Sequence, residues 1–187
     1  MFVALSRTRL NEFNASVGFN RGRPAFVFAA WWLFKIVFFS TSLPWPSSLK
    51  VAILRSFGAK LGHGVVIKPH VNIHFPWMLV VGDFVWLGED VSIFNFEQVK
   101  IGSNSCISQQ VFLCAAGHDY RDPSFSYRNA PVFIGDGVWL QARVFVCPGV
   151  SVGDEVVVTA CSFVKDDLPA NCVCTGNPAI PQGLRWK

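Results

Sequence analysis

The sequence predicts an all-β solenoid, a triangular parallel β-helix of about five coils, preceded by an α-helical segment. Three observations carry this prediction. First, aliphatic residues recur every six positions: Leu61, Ile67, Ile73, then Val81, Leu87, Ile93, then Ile101, Ile107, Leu113, then Ile134, Leu140, Val146, Val152, Val158 and Val164. A six-residue period fits neither a helix face nor a long strand; it suits short strands joined by corners. Second, the register slips by two residues between Ile73 and Val81, by two between Ile93 and Ile101, and by fifteen between Leu113 and Ile134. Each slip follows three repeats, so three repeats make one three-sided coil and the insertions share one corner. Third, Val dominates four positions after the lead aliphatic, and Gly often follows the lead, as at Gly62, Gly82, Gly102 and Gly135. Stacking of coils then buries continuous aliphatic columns.

Taken in order, residues 1–60 form a hydrophobic and basic helical segment. They hold eight Lys and Arg against one acid, Glu12, whereas the rest of the chain is net acidic. Residues 25–39 are apolar apart from Lys35 and lie between Pro24 and the Pro44-Trp45-Pro46 run. A spanning helix needs about 20 apolar residues, so this stretch is short for a span and reads instead as a cytoplasmic-face membrane anchor or re-entrant hairpin. Trp31, Trp32 and Trp45, with basic flanks at Arg21, Arg23, Lys50, Arg55 and Lys60, predict peripheral membrane contact through residues 20–46. Packing on the main domain or in an oligomer interface is the other reading. A second helix is expected from a Ser47 or Ser48 cap to Phe57, stopped by Gly58. The opening MFVALSRTRLNEF lacks the apolar core and cleavage site of a secretory leader. The expected location is cytoplasmic, at the inner face of the cytoplasmic membrane. Because the positive charge lies in an apolar segment, a nucleic-acid role is not expected.

Residues 61–170 are the β-helix, and 171–187 a C-terminal tail. With 51% apolar and 15% charged residues the chain is not disordered. The six cysteines form no CxxC pair and most sit in apolar runs, so they are read as reduced, with no metal. Trp77, Trp86, Phe94, Phe112, Trp139 and Phe145 cannot all fit a narrow prism already filled by Ile, Leu and Val. Several must lie on outer faces, which points to a closed homo-oligomer. The long insertion, 114–133, carries His118, Asp119, Tyr120, Arg121, Asp122, Tyr127 and Arg128. Long loops on rigid scaffolds carry function.

The run Ile134-Gly-Asp-Gly-Val-Trp-Leu-Gln-Ala-Arg-Val, with Pro148-Gly-Val-Ser-Val-Gly-Asp, Leu168-Pro-Ala-Asn and Gly176-Asn-Pro-Ala, resembles the hexapeptide-repeat acyltransferases, which are left-handed β-helices. Maltose, galactoside and nodulation O-acetyltransferases are among them. Phe19-Asn-Arg-Gly, Trp31-Trp32, Phe57-Gly-Ala-Lys, Pro76-Trp77 and Gly117-His118-Asp119 bring it nearer to the colanic acid biosynthesis acetyltransferases. The resemblance implies left-handedness and transfer of acetyl from acetyl-CoA to a sugar hydroxyl. It also implies a homotrimer whose active sites lie between prisms.

The resemblance places His118 on the family's catalytic histidine. Imidazole suits the task of taking a hydroxyl proton near neutral pH. Asp119 is a candidate to orient it. Trp139, Ala142, Ala160 and Lys165 are the implied coenzyme-binding residues. Lys165 stands at the family's usual Thr and Asp166 at its usual Lys, while Arg185 and Lys187 are further phosphate candidates. For the acceptor the candidates are Asn95, Tyr120 and Arg128, with Asp90, Glu97 and Arg121 nearby.

The expected function is O-acetylation of a saccharide, lipid-linked on the strength of the N-terminal segment, in exopolysaccharide or other surface-glycan synthesis. A non-catalytic scaffold docking on a glycan synthase complex is the alternative. His63, His70 and His74 invite comparison with the three-histidine zinc site of γ-class carbonic anhydrases. Their expected place is at the surface or at corners.

Overall fold

The structure is a computed structural model describing residues 7–187; residues 1–6, part of the stretch read as lacking a leader, lie outside it. Helix α1 spans Ala25–Phe38 and α2 spans Ser47–Ser56. The first coil has strands β1 (Lys60–Leu61), β2 (Val66–Ile67) and β3 (Asn72–Ile73). The second has β4 (Leu79–Val81), β5 (Trp86–Leu87) and β6 (Ser92–Phe94), and the third β7 (Val99–Ile101), β8 (Cys106–Ile107) and β9 (Phe112–Cys114). The fourth has β10 (Val132–Ile134), β11 (Trp139–Leu140) and β12 (Phe145–Val146), and the fifth β13 (Ser151–Val152), β14 (Val157–Val158) and β15 (Phe163–Val164). Leu168, bridged to Val152, and β16 (Cys172–Gly176) begin a sixth.

Every third strand pairs in parallel, which makes three sheets, one per side of the prism. The register stacks lead aliphatic on lead aliphatic: Val81 on Ile101, Ile101 on Ile134, Ile134 on Val152. Of the fifteen lead positions, all but Leu61 of the first coil are buried, and the valines four residues on are buried with them. The large aromatics stay outside. Trp86 and Trp139 are exposed on the second side, and Phe112, Phe145 and Phe163 stack along the third.

Two corners of each coil turn tightly. His70, Asp90, Gln110, Arg143 and Cys161 mark one and Gly64, Phe84, Asn104, Gly137 and Glu155 the other, all with φ between 55° and 65°. The third corner, between the third and first sheets, holds the insertions. Where Gly follows the lead, coils approach too closely for a side chain: a Cβ on Gly102 would lie 2.5 Å from the Gly135 carbonyl oxygen.

A parallel solenoid leaves an open edge of backbone N–H and C=O groups on its first coil. Here the N-terminal segment covers it, with one side chain for each side of the triangle. Arg55 donates to Leu61 O and Gly62 O (both 2.9 Å). Lys50 Nζ donates to Ile67 O (3.3 Å) and Lys68 O (3.0 Å). Trp31 Nε1 donates to Ile73 O (3.2 Å) and His74 O (3.1 Å). Lys35 adds a bond to Asn72 Oδ1 (2.9 Å) and lies over the Trp32 ring.

Several expectations are corrected by this arrangement. Lys35 and Lys50 are buried, and Arg55 is engaged, so much of the N-terminal basic charge serves the cap rather than an outward face. The position before α2 is Pro46, not a serine cap; Ser47 Oγ instead accepts the Ile67 N–H (3.0 Å). Gly58, at φ 94°, does end that helix region. The region read as a tail is a hairpin: β16 pairs with β14, and β17 (Ala179–Leu184) folds back antiparallel on β16.

Replacing Trp31 by Phe keeps an aromatic ring but removes the donor serving two buried-edge carbonyls and leaves a small void. The expected cost is about 2–4 kcal/mol, read as a lowered urea midpoint.

Candidate active site

The 115–131 connection between β9 and β10 is a built loop, not a loose one. His118 and Tyr127 form an antiparallel bridge, flanked by Asp119 N–H to Ser126 O (2.9 Å) and Arg128 N–H to Gly117 O (2.7 Å). At its tip Asp122 accepts from the Ser124 N–H and hydroxyl. Hydrogen bonding from Ser126 and Ser124 holds its carboxyl down to about 2. An ionised Asp122 therefore pins the turn across the neutral range.

This turn ends at Phe125, a bulky residue held at φ 55°, in the left-handed region. The Phe125 carbonyl accepts from His118 Nδ1 at 2.7 Å, and the Phe125 ring stacks on the imidazole (centroids 4.2 Å, 9° between planes). Tyr127 lies at 5.0 Å and Phe13 meets the imidazole edge-on at 5.3 Å. Because a carbonyl only accepts, Nδ1 carries the proton, and Nε2 is left as the acceptor nitrogen of the neutral ring.

His118 lines a cleft of about 270 Å³ with Phe94, Phe96, Ala116, Gly117, Tyr127 and Asn129. Residues 9–21 cross this corner: Arg9 N–H bonds to Pro123 O (2.7 Å), Phe19 packs on Phe96 and Tyr127, and Trp77 Nε1 reaches Arg21 O (2.7 Å). A polar loop is thus set on an aromatic floor, with one imidazole in the proton-accepting tautomer at the rim.

No family model matches the chain. It is 42% identical over 91% of its length, and 93% of the relative's, to the "Putative colanic acid biosynthesis acetyltransferase WcaF" of Escherichia coli. The chain belongs to the hexapeptide-repeat acetyltransferases. It is also 28% identical, over 75% of its length and 70% of the relative's, to an Escherichia coli galactoside O-acetyltransferase. The solved Vibrio cholerae hexapeptide-repeat acetyltransferase complexed with acetyl coenzyme A matches its fold with a TM-score of 0.73. That match covers 78% of this chain and 81% of the other, at 23% identity. The solenoid is the left-handed β-helix of these enzymes.

Within this acetyltransferase the residues singled out from sequence lie on different parts of the prism. His118, Asp119, Tyr120 and Arg128 share the loop, and Lys165 lies at the same corner two coils on, ion-paired with Asp166 at 2.6 Å. Trp139 faces outward from the second side, opposite that corner, with Nε1 on Ser108 Oγ (3.0 Å). Ala142 and Ala160 follow it on one corner of successive coils, and the Ala160 N–H bonds to Gln141 Oε1 (3.2 Å). One chain therefore separates His118 from Trp139 and the two alanines. Arg185 is occupied by Gly137 O (2.6 Å) and Glu155 (3.2 Å).

Other expectations change. Asn95 is buried and cannot face an acceptor: its Oδ1 accepts the Phe75 N–H (2.9 Å) and its Nδ2 donates to Phe75 O (2.7 Å), bracing the corner. Asp119 does not orient His118; its Oδ1 accepts the Arg121 N–H (2.9 Å), and the Phe125 carbonyl takes the imidazole proton. Tyr120 is exposed with Arg121 over its ring, and Arg128 is exposed. Phe13, Phe19 and Phe125 were not legible as site residues, since a Phe at positive φ and a strap contact leave no periodic trace.

Among the described residues, no group of three or more His, Cys, Asp or Glu side chains is placed to hold a metal. His70 Nε2 pairs with Ser42 Oγ (2.9 Å). His74 lies at the insertion corner just after β3, half-buried: it stacks on Phe96 at 4.8 Å and packs on Phe75 and Phe94.

Burial, with the nearby Lys35 charge, pushes the His74 imidazole from near 6.5 down to about 4. Between those values the unfolded chain binds the extra proton and the native chain does not, so stability falls as pH drops from about 6.5 toward 4. In urea unfolding from pH 7 to 4.5, His74→Phe is expected to show a flatter decline than the wild type.

Proposed function

We propose that the protein transfers acetyl from acetyl-CoA to a hydroxyl of a saccharide in surface-glycan synthesis, with His118 as general base. The observation that carries this is the Phe125 carbonyl on His118 Nδ1, which leaves Nε2 free to accept. Nε2 takes the acceptor hydroxyl's proton as its oxygen bonds to the thioester carbonyl carbon. The C–S bond then breaks, and the proton passes from Nε2 to the departing coenzyme sulfur. No covalent enzyme intermediate is needed, since a thioester is already a reactive acyl donor. The names of the relatives, for colanic acid biosynthesis and galactoside acetylation, support a saccharide acceptor.

The coenzyme is assigned to Trp139, Ala142, Ala160 and Lys165. Since Trp139 and the alanines lie away from the His118 corner, this reading requires a second copy of the chain to complete each site. It therefore goes with a homotrimer. The exposed Trp86 and Trp139 and the Phe112–Phe145–Phe163 stack supply apolar surface for such contacts.

Coenzyme release from acetyl-CoA, measured with a panel of lipid-linked and soluble sugars, tests the assignment. His118→Ala is expected to lower kcat/KM by about 10²–10⁴. A wild type that neither binds the coenzyme nor turns over any acceptor would leave the scaffold reading in its place.

The acceptor is taken to be lipid-linked, met at the cytoplasmic membrane surface. No described helix is long and apolar enough to cross a membrane. Yet α1 buries Trp31 and Lys35 on one face while Phe26 (73% exposed), Leu33 (67%), Ile36 and Val37 stand on the other, with Arg21 and Arg23 exposed before it. An apolar face with basic neighbours suits an anionic lipid surface. Leu33→Glu with Ile36→Glu is expected to abolish co-sedimentation with phosphatidylglycerol vesicles; unchanged partition would overturn the membrane reading.

A further inference from the structure

The loop carries a second polar group that the reaction above does not use. Asn129 stands two residues after Tyr127, on the limb that returns to β10. Its Oδ1 accepts the Gly117 N–H at 3.1 Å, immediately before His118 in the chain. That bond fixes which end of the amide is which, because a backbone N–H needs an oxygen opposite it. Nδ2 therefore points elsewhere. Among the described residues it is the buried side-chain nitrogen or oxygen without a hydrogen-bond partner. Leaving a buried N–H unpaired costs stability, and such groups in native proteins call for a reason. Asn129 lines the same cleft as His118, with Phe94, Phe96 and Tyr127 around it.

We infer that Asn129 Nδ2 is a donor to the acceptor saccharide, binding an oxygen next to the hydroxyl that His118 deprotonates. The inference rests on the acetyl-transfer reading and extends it to the recognition of the sugar. The chemistry of the cleft favours this partner. Nδ2 can only donate, so it selects an oxygen lone pair, which every sugar hydroxyl and ring oxygen offers. Aromatic rings supply flat apolar walls for the C–H face of a pyranose. The amide is held by the residue adjoining His118, so a sugar bound to Nδ2 is registered against the imidazole. Asn129 is thus a binding and positioning residue whose loss falls on the acceptor, not on the coenzyme.

Asn129→Asp is the informative change. It retains the oxygen that accepts the Gly117 N–H and replaces the donor by a second acceptor of nearly the same shape. With methyl β-D-galactopyranoside and methyl β-D-glucopyranoside as acceptors, the variant is expected to raise acceptor KM about 10- to 100-fold and to leave the KM for acetyl-CoA within twofold. Monodeoxy derivatives sharpen the test: the wild type should be penalised for one missing hydroxyl to which the variant is indifferent. Independently of turnover, the Asn129 side-chain amide resonance of the coenzyme-saturated wild type should shift as a methyl glycoside is added.

An amide resonance unmoved by either glycoside overturns the assignment, whatever the activity. So does an Asn129→Asp enzyme with unchanged acceptor KM and the wild-type response to deoxy sugars. A resonance that shifts in a wild type unable to transfer acetyl keeps the sugar site and removes the acetyl-transfer reading instead.

Discussion

The backbone of a parallel solenoid hydrogen-bonds only along its axis, so its first coil faces outward with a ring of unmet carbonyl and N–H groups. The rest of the molecule depends on closing that ring. Arg55, Lys50 and Trp31 each bind two successive carbonyls, one residue for each side of the triangle. Left open, this edge would be a template for another chain's strand. At the opposite end the β16–β17 hairpin extends the second side alone, while β13 and β15 end the other two sheets. Between the two ends, stacked aliphatics hold the coils, and glycine after the lead residue lets them approach.

A frame of this rigidity allows a loop to be exact in shape without being regular. The His118 loop springs from the one corner that tolerates insertion and is braced from inside. Asn95 ties the corner of the coil below to Phe75, Asp122 pins the tip, and Phe125 is held in an unfavourable backbone region that sets its carbonyl on the imidazole. Strain of this kind persists only where surrounding contacts over-determine it. Residues 9–21 complete the arrangement by packing Phe13 and Phe19 among the loop's rings.

The prism is legible in the sequence because its rule is periodic. Six-residue spacing, the phase slips and the valine columns are all consequences of stacking, and they mark coil count, corner and loop. The candidate site is legible only where resemblance and residue type single out a group, as they do the His118 imidazole, which the structure places at the rim of a cleft. Asn95 reads as an exposed corner amide because polarity does not reveal direction; it turns inward to satisfy Phe75. Adjacency in the chain suggests Asp119 as the partner of His118, and a backbone carbonyl from seven residues away holds that place. Lys50 reads as a basic flank of a membrane-facing segment, yet an ammonium with three donors suits a carbonyl edge well. His74 reads as a surface or corner residue; it does stand at a corner, but half-buried among aromatic rings, since nothing in its local sequence announces the helix packed over it.

The confinement of insertions to one corner separates two evolutionary variables. Each coil's sides are two or three residues long, and a single added residue there would turn every following side chain through the wall of the prism. At the permissive corner, length changes end where they begin. Under the proposed assignment the acceptor would be met by the loop at that corner and the coenzyme by Ala142 and Ala160 at another, with Lys165 two coils on, so that sugar choice and coenzyme grip would fall on separate stretches of chain. A lineage is then free to exchange one sugar for another by rewriting a loop, without renegotiating its hold on the acyl donor.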